Sequence, residues 1–220
     1  MTQTPITKSE TADVSLLNFP QPPIYWIHLY ENEGILKNCM SIFNSEKKIE
    51  ANYALAGQLV HQYAGSTKMY EYFGSIFDQV FGEVLTKNFG DDKWTSNLDR
   101  CWVNYQQKYE FNPVHDHTGE YSFVYWVKIP YDLEEEYKNP AVVNARDRCV
   151  SQFNFVYTNL LGMVSNLQIP LTKDHEGCMV IFPACLKHVV YPFYTSDDMR
   201  ISISGNFSIQ HPSGKKIAFE

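Results

Sequence analysis

Apolar residues recur along this chain with two different periods, and the change falls near Gly90. Before it they return every three or four positions, the spacing of one helix face; after it they form short runs separated by turn residues. Ile49, Tyr53, Ala56, Val60 and Tyr63 predict a helix that begins near Ser45. Met69, Phe73, Ile76, Val80 and Val84 predict a second, with Ser66 as its N-cap and Asn88-Phe-Gly90 as its stop. Residues 24–30 (IYWIHLY) read as a strand. Ahead of it, Pro20, Pro22 and Pro23 lack amide donors, so residues 1–23 are expected to be an extended or mobile lead-in.

Beyond Gly90, β-type runs are expected at residues 101–109, 121–129, 150–158, 163–169, 178–182, 188–193 and 200–209. That many short strands with turns between them predict an antiparallel sandwich or barrel. The acidic stretch 132–139 (DLEEEYKN) reads as a solvated loop.

Composition narrows the function classes. A formal charge of −7 with no dense Lys/Arg run makes general nucleic-acid binding unexpected. No apolar stretch approaches the roughly 20 residues needed to cross a bilayer, and the first residues carry no apolar core of a secretory signal. The 5 cysteines, an odd number without a CxxC pair, suit a reducing cytoplasm better than a disulfide framework.

Candidate chemistry concentrates in three places. Asn112-Pro-Val-His-Asp-His-Thr-Gly119 puts His115 and His117 two positions apart where a turn meets a strand, so both imidazoles can project from one face toward one metal. Asp116, between them, should point the other way. In Glu176-Gly-Cys-Met-Val-Ile-Phe-Pro-Ala-Cys-Leu-Lys-His188, a glycine turn starts an apolar strand, Pro183 ends it and His188 opens the next. Arg200-Ile-Ser-Ile-Ser-Gly-Asn206 alternates so that Arg200 and Ser202 share a face. A guanidinium facing an apolar barrel requires an anion, and its fork suits a carboxylate.

Taken in order, these segments resemble the iron(II)/2-oxoglutarate-dependent dioxygenases, and more narrowly an uncharacterised family of them common in phages and bacteria and related to prolyl hydroxylases. Trp102-Val-Asn-Tyr105, the stretch from Ser122 to Pro130 and His188-x-Val-x-Pro192 extend the likeness, which covers roughly residues 50 to 209. The resemblance implies a mainly β protein with N-terminal helices: a helical prelude over about 33–90 and a double-stranded β-helix (jelly roll) over about 98–209. Residues 24–209 would then form one domain, with a polar tail at 210–220. It implies Fe(II), 2-oxoglutarate and O₂ as cofactor and cosubstrates. It also implies iron on His115 and His188, the distal carboxylate of 2-oxoglutarate on Arg200 and Ser202, and Tyr105 beside the cosubstrate.

One position departs from the pattern. Such sites use two histidines and a carboxylate, and here His117 stands where the carboxylate belongs. A three-histidine site, a site completed by Glu120, and a metal site without turnover all remain open at this level, as does a cupin-like metal protein, which shares the histidine spacing but has no need of Arg200 and Ser202. No motif names the substrate.

Overall fold

The computed structural model describes residues 3–8, 12–17, 24–29, 32–45, 47–89, 94–159 and 161–214. Eight strands build its barrel: β5 (Thr95–Gln106), β6 (Asn112–His115), β7 (Tyr121–Lys128), β8 (Gln152–Thr158), β9 (Val164–Pro170), β10 (Cys178–Pro183), β11 (His188–Val190) and β12 (Arg200–Gln210). Ahead of them come β1 (Gln3–Lys8), β2 (Ala12–Leu17), β3 (Ile24–Leu29), helix α1 (Asn32–Ser45), β4 (His61–Ala64) and helix α2 (Thr67–Phe89); a short helix α3 (Leu133–Glu136) follows β7.

The strands form two sheets, ordered β1-β2-β3-β10-β7-β12-β5-β4 and β6-β11-β8-β9, and every neighbouring pair is antiparallel. Within the barrel the chain alternates between sheets except at the β8–β9 hairpin, which is the jelly-roll arrangement.

Alternation along each strand sorts side chains into two cores. On β12, Ile201 and Ile203 face the helices, where they join Phe73 and Phe77 of α2 and Phe43 of α1. Phe77 stacks on Phe207 and meets Phe123 edge-on, each with ring centroids 4.8 Å apart. Burying each such ring contributes about 2 to 3 kcal/mol. Between the sheets lies a second core of Trp126, Phe153, Phe155, Val180 and Phe182. Gly205 lets β12 pass between β5 and β7, since a Cβ there would collide with the Arg100 carbonyl and the Phe123 ring.

The expected strands all form. The helix beginning near Ser45 does not: residues 47–64 run as irregular chain, a single 3-10 turn and β4. Its apolar stripe has nothing to bury, for Tyr53 is 93% exposed, Ile49 64% and Val60 61%. Asn52 accounts for the local shape, its amide donating to the Leu59 carbonyl at 2.6 Å and accepting from the Gln62 N–H at 3.3 Å. A helix lies earlier instead, where α1 buries Cys39 and Phe43. Helix α2 starts as expected, with Ser66 Oγ accepting from the Met69 N–H. Gly90, the side chains of Val80 and Val84, and residues 19–23 and 215–220 lie outside the described residues.

Two further features differ from the expectation. Residues 3–8 and 12–17, read as an extended or mobile lead-in, are extended but belong to the large sheet, β1 pairing with β2 and β2 with β3. The acidic stretch 132–139 is not wholly solvated: Asp132 caps α3, and Glu136 is fully buried.

Candidate metal centre

His115 ends β6 and His188 opens β11, and these two strands pair with the two histidines directly opposite each other. His117 lies just past β6, its backbone N–H donating to the Ala184 carbonyl at 2.8 Å, which ties the turn after β6 to the turn before β11. The three imidazoles converge: ring centroids are 4.2 Å apart for His115 and His188, 4.9 Å for His115 and His117, and 5.0 Å for His117 and His188. One nitrogen from each ring lies within 4.8 Å of the others.

Backbone carbonyls fix which nitrogen that is. The Nδ1 of His115 lies 2.7 Å from the Pro113 oxygen, and the Nδ1 of His188 lies 2.9 Å from the Leu186 oxygen. A carbonyl only accepts, so each Nδ1 carries the hydrogen and each Nε2 keeps its lone pair. Metal-binding histidines are oriented in this way.

The surroundings keep all three rings neutral. His188 stacks on Phe153 at 5.4 Å and meets Phe182 at 4.9 Å; burial, then the neighbouring histidines, hold its pKa well below the ordinary value. Burial and His115 lower His117 to about 4, and burial lowers His115. Three clustered neutral nitrogen donors, two of them with an outer hydrogen bond to a backbone carbonyl, fit a divalent transition metal such as iron.

No carboxylate joins the cluster among the described residues. Asp116 points outward and pairs with Lys187 at 2.7 Å. Glu120 is also engaged elsewhere, its Oε2 accepting from the Ile209 N–H at 3.3 Å. Of His117 and Glu120, it is His117 that lies with His115 and His188.

The cluster opens on a cleft between the sheets, about 590 Å³ including its solvent-open part, and Arg200, Ser202 and Asn104 line it as well. Arg200 is 3% exposed. Its guanidinium donates to Gln106 Oε1 through Nε (3.2 Å) and Nη2 (2.6 Å), to Tyr131 Oη (2.9 Å) and to the Tyr191 carbonyl (2.9 Å). Every one of these acceptors is neutral. Among the described residues no carboxylate forms an ion pair with it.

Tyr105 does not lie in this cleft. It faces the helices, packed on Phe43 at 5.3 Å and Tyr63 at 6.0 Å; its neighbour Gln106, opposite Arg200 in the sheet, takes the inward place. Tyr125 is core, while Trp126 is both core and cleft wall. Sequence reasoning passed over Gln106, Tyr131, Asn104 and Gln62, neutral residues that acquire a role only through cross-strand pairing.

Comparison with known proteins agrees with this geometry. Residues 100–206 match the family described as "Putative 2OG-Fe(II) oxygenase". No curated protein matches the chain. Among solved structures it resembles the non-heme alpha ketoglutarate dependent carbocyclase SnoK from nogalamycin biosynthesis, at 11% identity and TM-score 0.54, covering 87% of this chain and 82% of that one. It also resembles a prolyl hydroxylase from Trichoplax adhaerens, at 12% identity and TM-score 0.51, covering 83% and 79%. HygX from Streptomyces hygroscopicus, solved with nickel and 2-oxoglutarate, is similar at 10% identity and TM-score 0.51, covering 84% and 82%. At such identities these likenesses speak for the fold. The family match spans the segment that carries His115, His117, His188 and Arg200, so the likeness to the 2OG-Fe(II) oxygenases falls on the residues that build this site.

Proposed function

We propose that the protein is a non-haem iron(II)- and 2-oxoglutarate-dependent hydroxylase in which His115, His117 and His188 hold the metal and Arg200 holds the distal carboxylate of 2-oxoglutarate. The observation that carries this is the buried Arg200, a cation with only neutral acceptors, in the same cleft as the three histidines. Leaving such a charge without an anion is costly. Its Tyr131 and Gln106 partners fix the orientation of the fork, which readies it for a carboxylate arriving from the cleft. Ser202, on the same face two residues on, adds a hydroxyl donor. A cupin-like metal binder has no use for this arrangement.

Iron(II) bound here would supply oxidative decarboxylation of 2-oxoglutarate to succinate by O₂, coupled to hydroxylation of a C–H bond. The chain's own part is positional. Carbonyl-anchored imidazoles hold the coordinating faces, Phe153 and Phe182 shield His188 from water, and Arg200 sets the orientation of the cosubstrate. The replacement of a carboxylate by His117 leaves the metal with neutral protein ligands, so the dianionic cosubstrate meets a site of higher positive charge.

A cytoplasmic setting, that of the host if the gene is phage-borne, is supported by the five free cysteines; among the described residues no helix is long and apolar enough to cross a membrane. The test of the function is an anaerobic titration with Fe(II) and then 2-oxoglutarate. Chelation of the cosubstrate should produce a visible metal-to-ligand charge-transfer band, and iron that binds without such a band would refute the oxygenase reading.

A further inference from the structure

Three strands of the large sheet lay a row of neutral polar side chains across the cleft. Gln62 on β4 stands opposite Asn104 on β5, and Asn104 opposite Ser202 on β12. All three line the cleft, with Ser204 beside them. Gln62 Nε2 donates to Asn104 Oδ1 at 2.9 Å, and Asn104 Nδ2 donates to Ser202 Oγ at 3.2 Å and Ser204 Oγ at 3.4 Å. At the other end an acceptor is left over: Gln62 is 1% exposed, and its Oε1 is buried without a hydrogen-bond partner. Buried acceptors are rarely left in that state, because the loss is not compensated by water.

The direction of the row is set at Ser202. A hydroxyl that accepts from Asn104 keeps its own hydrogen to donate, and Ser202 shares its face of β12 with Arg200. When Arg200 holds a carboxylate, that hydrogen goes to the anion. Asn104 must then keep Nδ2 toward the serine and Oδ1 toward Gln62, and Gln62 must offer its Nε2 to Asn104 and present Oε1. When no anion is held, Ser202 can donate to Asn104 Oδ1 instead; both amides then reverse, and Gln62 presents its NH₂.

Gln62 stands at the edge-strand end of this row. Its strand is the last of the large sheet. Leu55, Ala56 and Gly57 line the cleft next to it, and Gln58 bridges to Phe111 just ahead of β6. At Gly57 a Cβ would come within 2.7 Å of Gln62 Nε2 and 3.0 Å of Asn112 Oδ1, so the bare backbone of this rim lies directly against the Gln62 amide.

We propose that Gln62 is a specificity residue for the primary substrate: with cosubstrate bound, its Oε1 accepts a hydrogen bond from an N–H or O–H on a neutral part of the substrate entering past residues 55–58. This rests on the assignment of Arg200 to 2-oxoglutarate. The substrate class is therefore a neutral donor, an amide or an alcohol, and cosubstrate binding prepares its site by turning two amides.

The test uses the full chain loaded with diamagnetic Zn(II) and two small probes, acetamide and N,N-dimethylacetamide, whose binding is followed by NMR with and without 2-oxoglutarate. With 2-oxoglutarate, acetamide should bind at least about tenfold more tightly, a difference of about 1.4 kcal/mol. Without it the preference should vanish or reverse. In Gln62→Met, which keeps the length and removes the acceptor, the preference should be lost while the side-chain amide signals of Asn104 show the fold intact. A preference that survives Gln62→Met, equal affinities in the wild type, or no binding of either probe would leave the row a purely structural one. If 2-oxoglutarate itself fails to bind the Zn(II) protein, the Arg200 assignment falls first, and this proposal falls with it.

Discussion

At the scale of single residues, a few positions combine deep burial with an unmet demand. Arg200 is the sharpest, because its charge is out of water and every acceptor that surrounds it is neutral. Replacing it by alanine should weaken 2-oxoglutarate binding by roughly a hundred- to a thousandfold, about 3 to 4 kcal/mol; calorimetry on the metal-loaded protein measures this, and an unchanged affinity would remove Arg200 from the site. Gly205 makes the opposite demand, for space. Its Cβ would strike the Arg100 backbone and the Phe123 ring, neither of which can swing aside. Gly205→Ala should therefore cost about 1 to 3 kcal/mol in urea unfolding, with the metal-binding stoichiometry unchanged in the folded fraction.

At the scale of elements, the barrel was legible because alternation and turn residues mark each strand where it stands. The site histidines and Arg200 were legible for a related reason: they are chemically distinctive and fall at strand ends. The misreadings have physical causes. Residues 49–63 carry a helical period, but Asn52 diverts the backbone and the stripe meets no partner surface. Tyr105 and Gln106 differ by one position, and in a strand one position exchanges the two faces; only the pairing of Gln106 with Arg200 settles which faces inward. Glu136 was hidden in an acidic run. Its carboxylate accepts from the Tyr194 N–H at 2.9 Å and the Thr195 N–H at 2.7 Å, and also from the Thr195 hydroxyl, so α3 clamps the segment that joins β11 to β12. Tyr131, just ahead of α3, meets Arg200 from the same side. Glu136→Ala would leave two part-buried amides without their carboxylate acceptor and should destabilise the protein by about 1 to 3 kcal/mol. Because the clamped segment leads into Arg200, 2-oxoglutarate affinity should fall as well, and Glu136→Ala with wild-type values for both would show that α3 is independent of the site.

At the scale of the whole molecule, an acidic chain of net charge −7 encloses a cleft whose charged group is a cation and whose histidines are held neutral, and this fixes how stability must respond to pH. His117 falls from 6.5 to about 4 on folding, and His115 and His188 are lowered as well, in each case chiefly by burial. A group whose pKa is lower in the folded state binds fewer protons there, so acid favours unfolding. For the metal-free protein the stability these rings permit is complete above pH 6.5. It declines as the pH falls from 6.5, and for His117 the decline continues to about 4. Asp116, kept ionised by Lys187, adds to the loss only at lower pH, since its ordinary value is 3.8. A bound metal competes with protons for the same ring nitrogens and stabilises the fold by mass action. Because folded rings with lowered pKa values take up few protons, the gap in unfolding midpoint between metal-loaded and metal-free protein should largely persist as the pH falls from 7.5 and close only as it approaches 4, where His117 takes up its proton. Urea titrations of both forms across that range test the point. A metal-free protein whose midpoint stays flat between pH 6.5 and 4.5 would mean that the three imidazoles are not held neutral, and a metal-loaded gap that stayed open as the pH fell to 4 and below would mean that they are not the ligands.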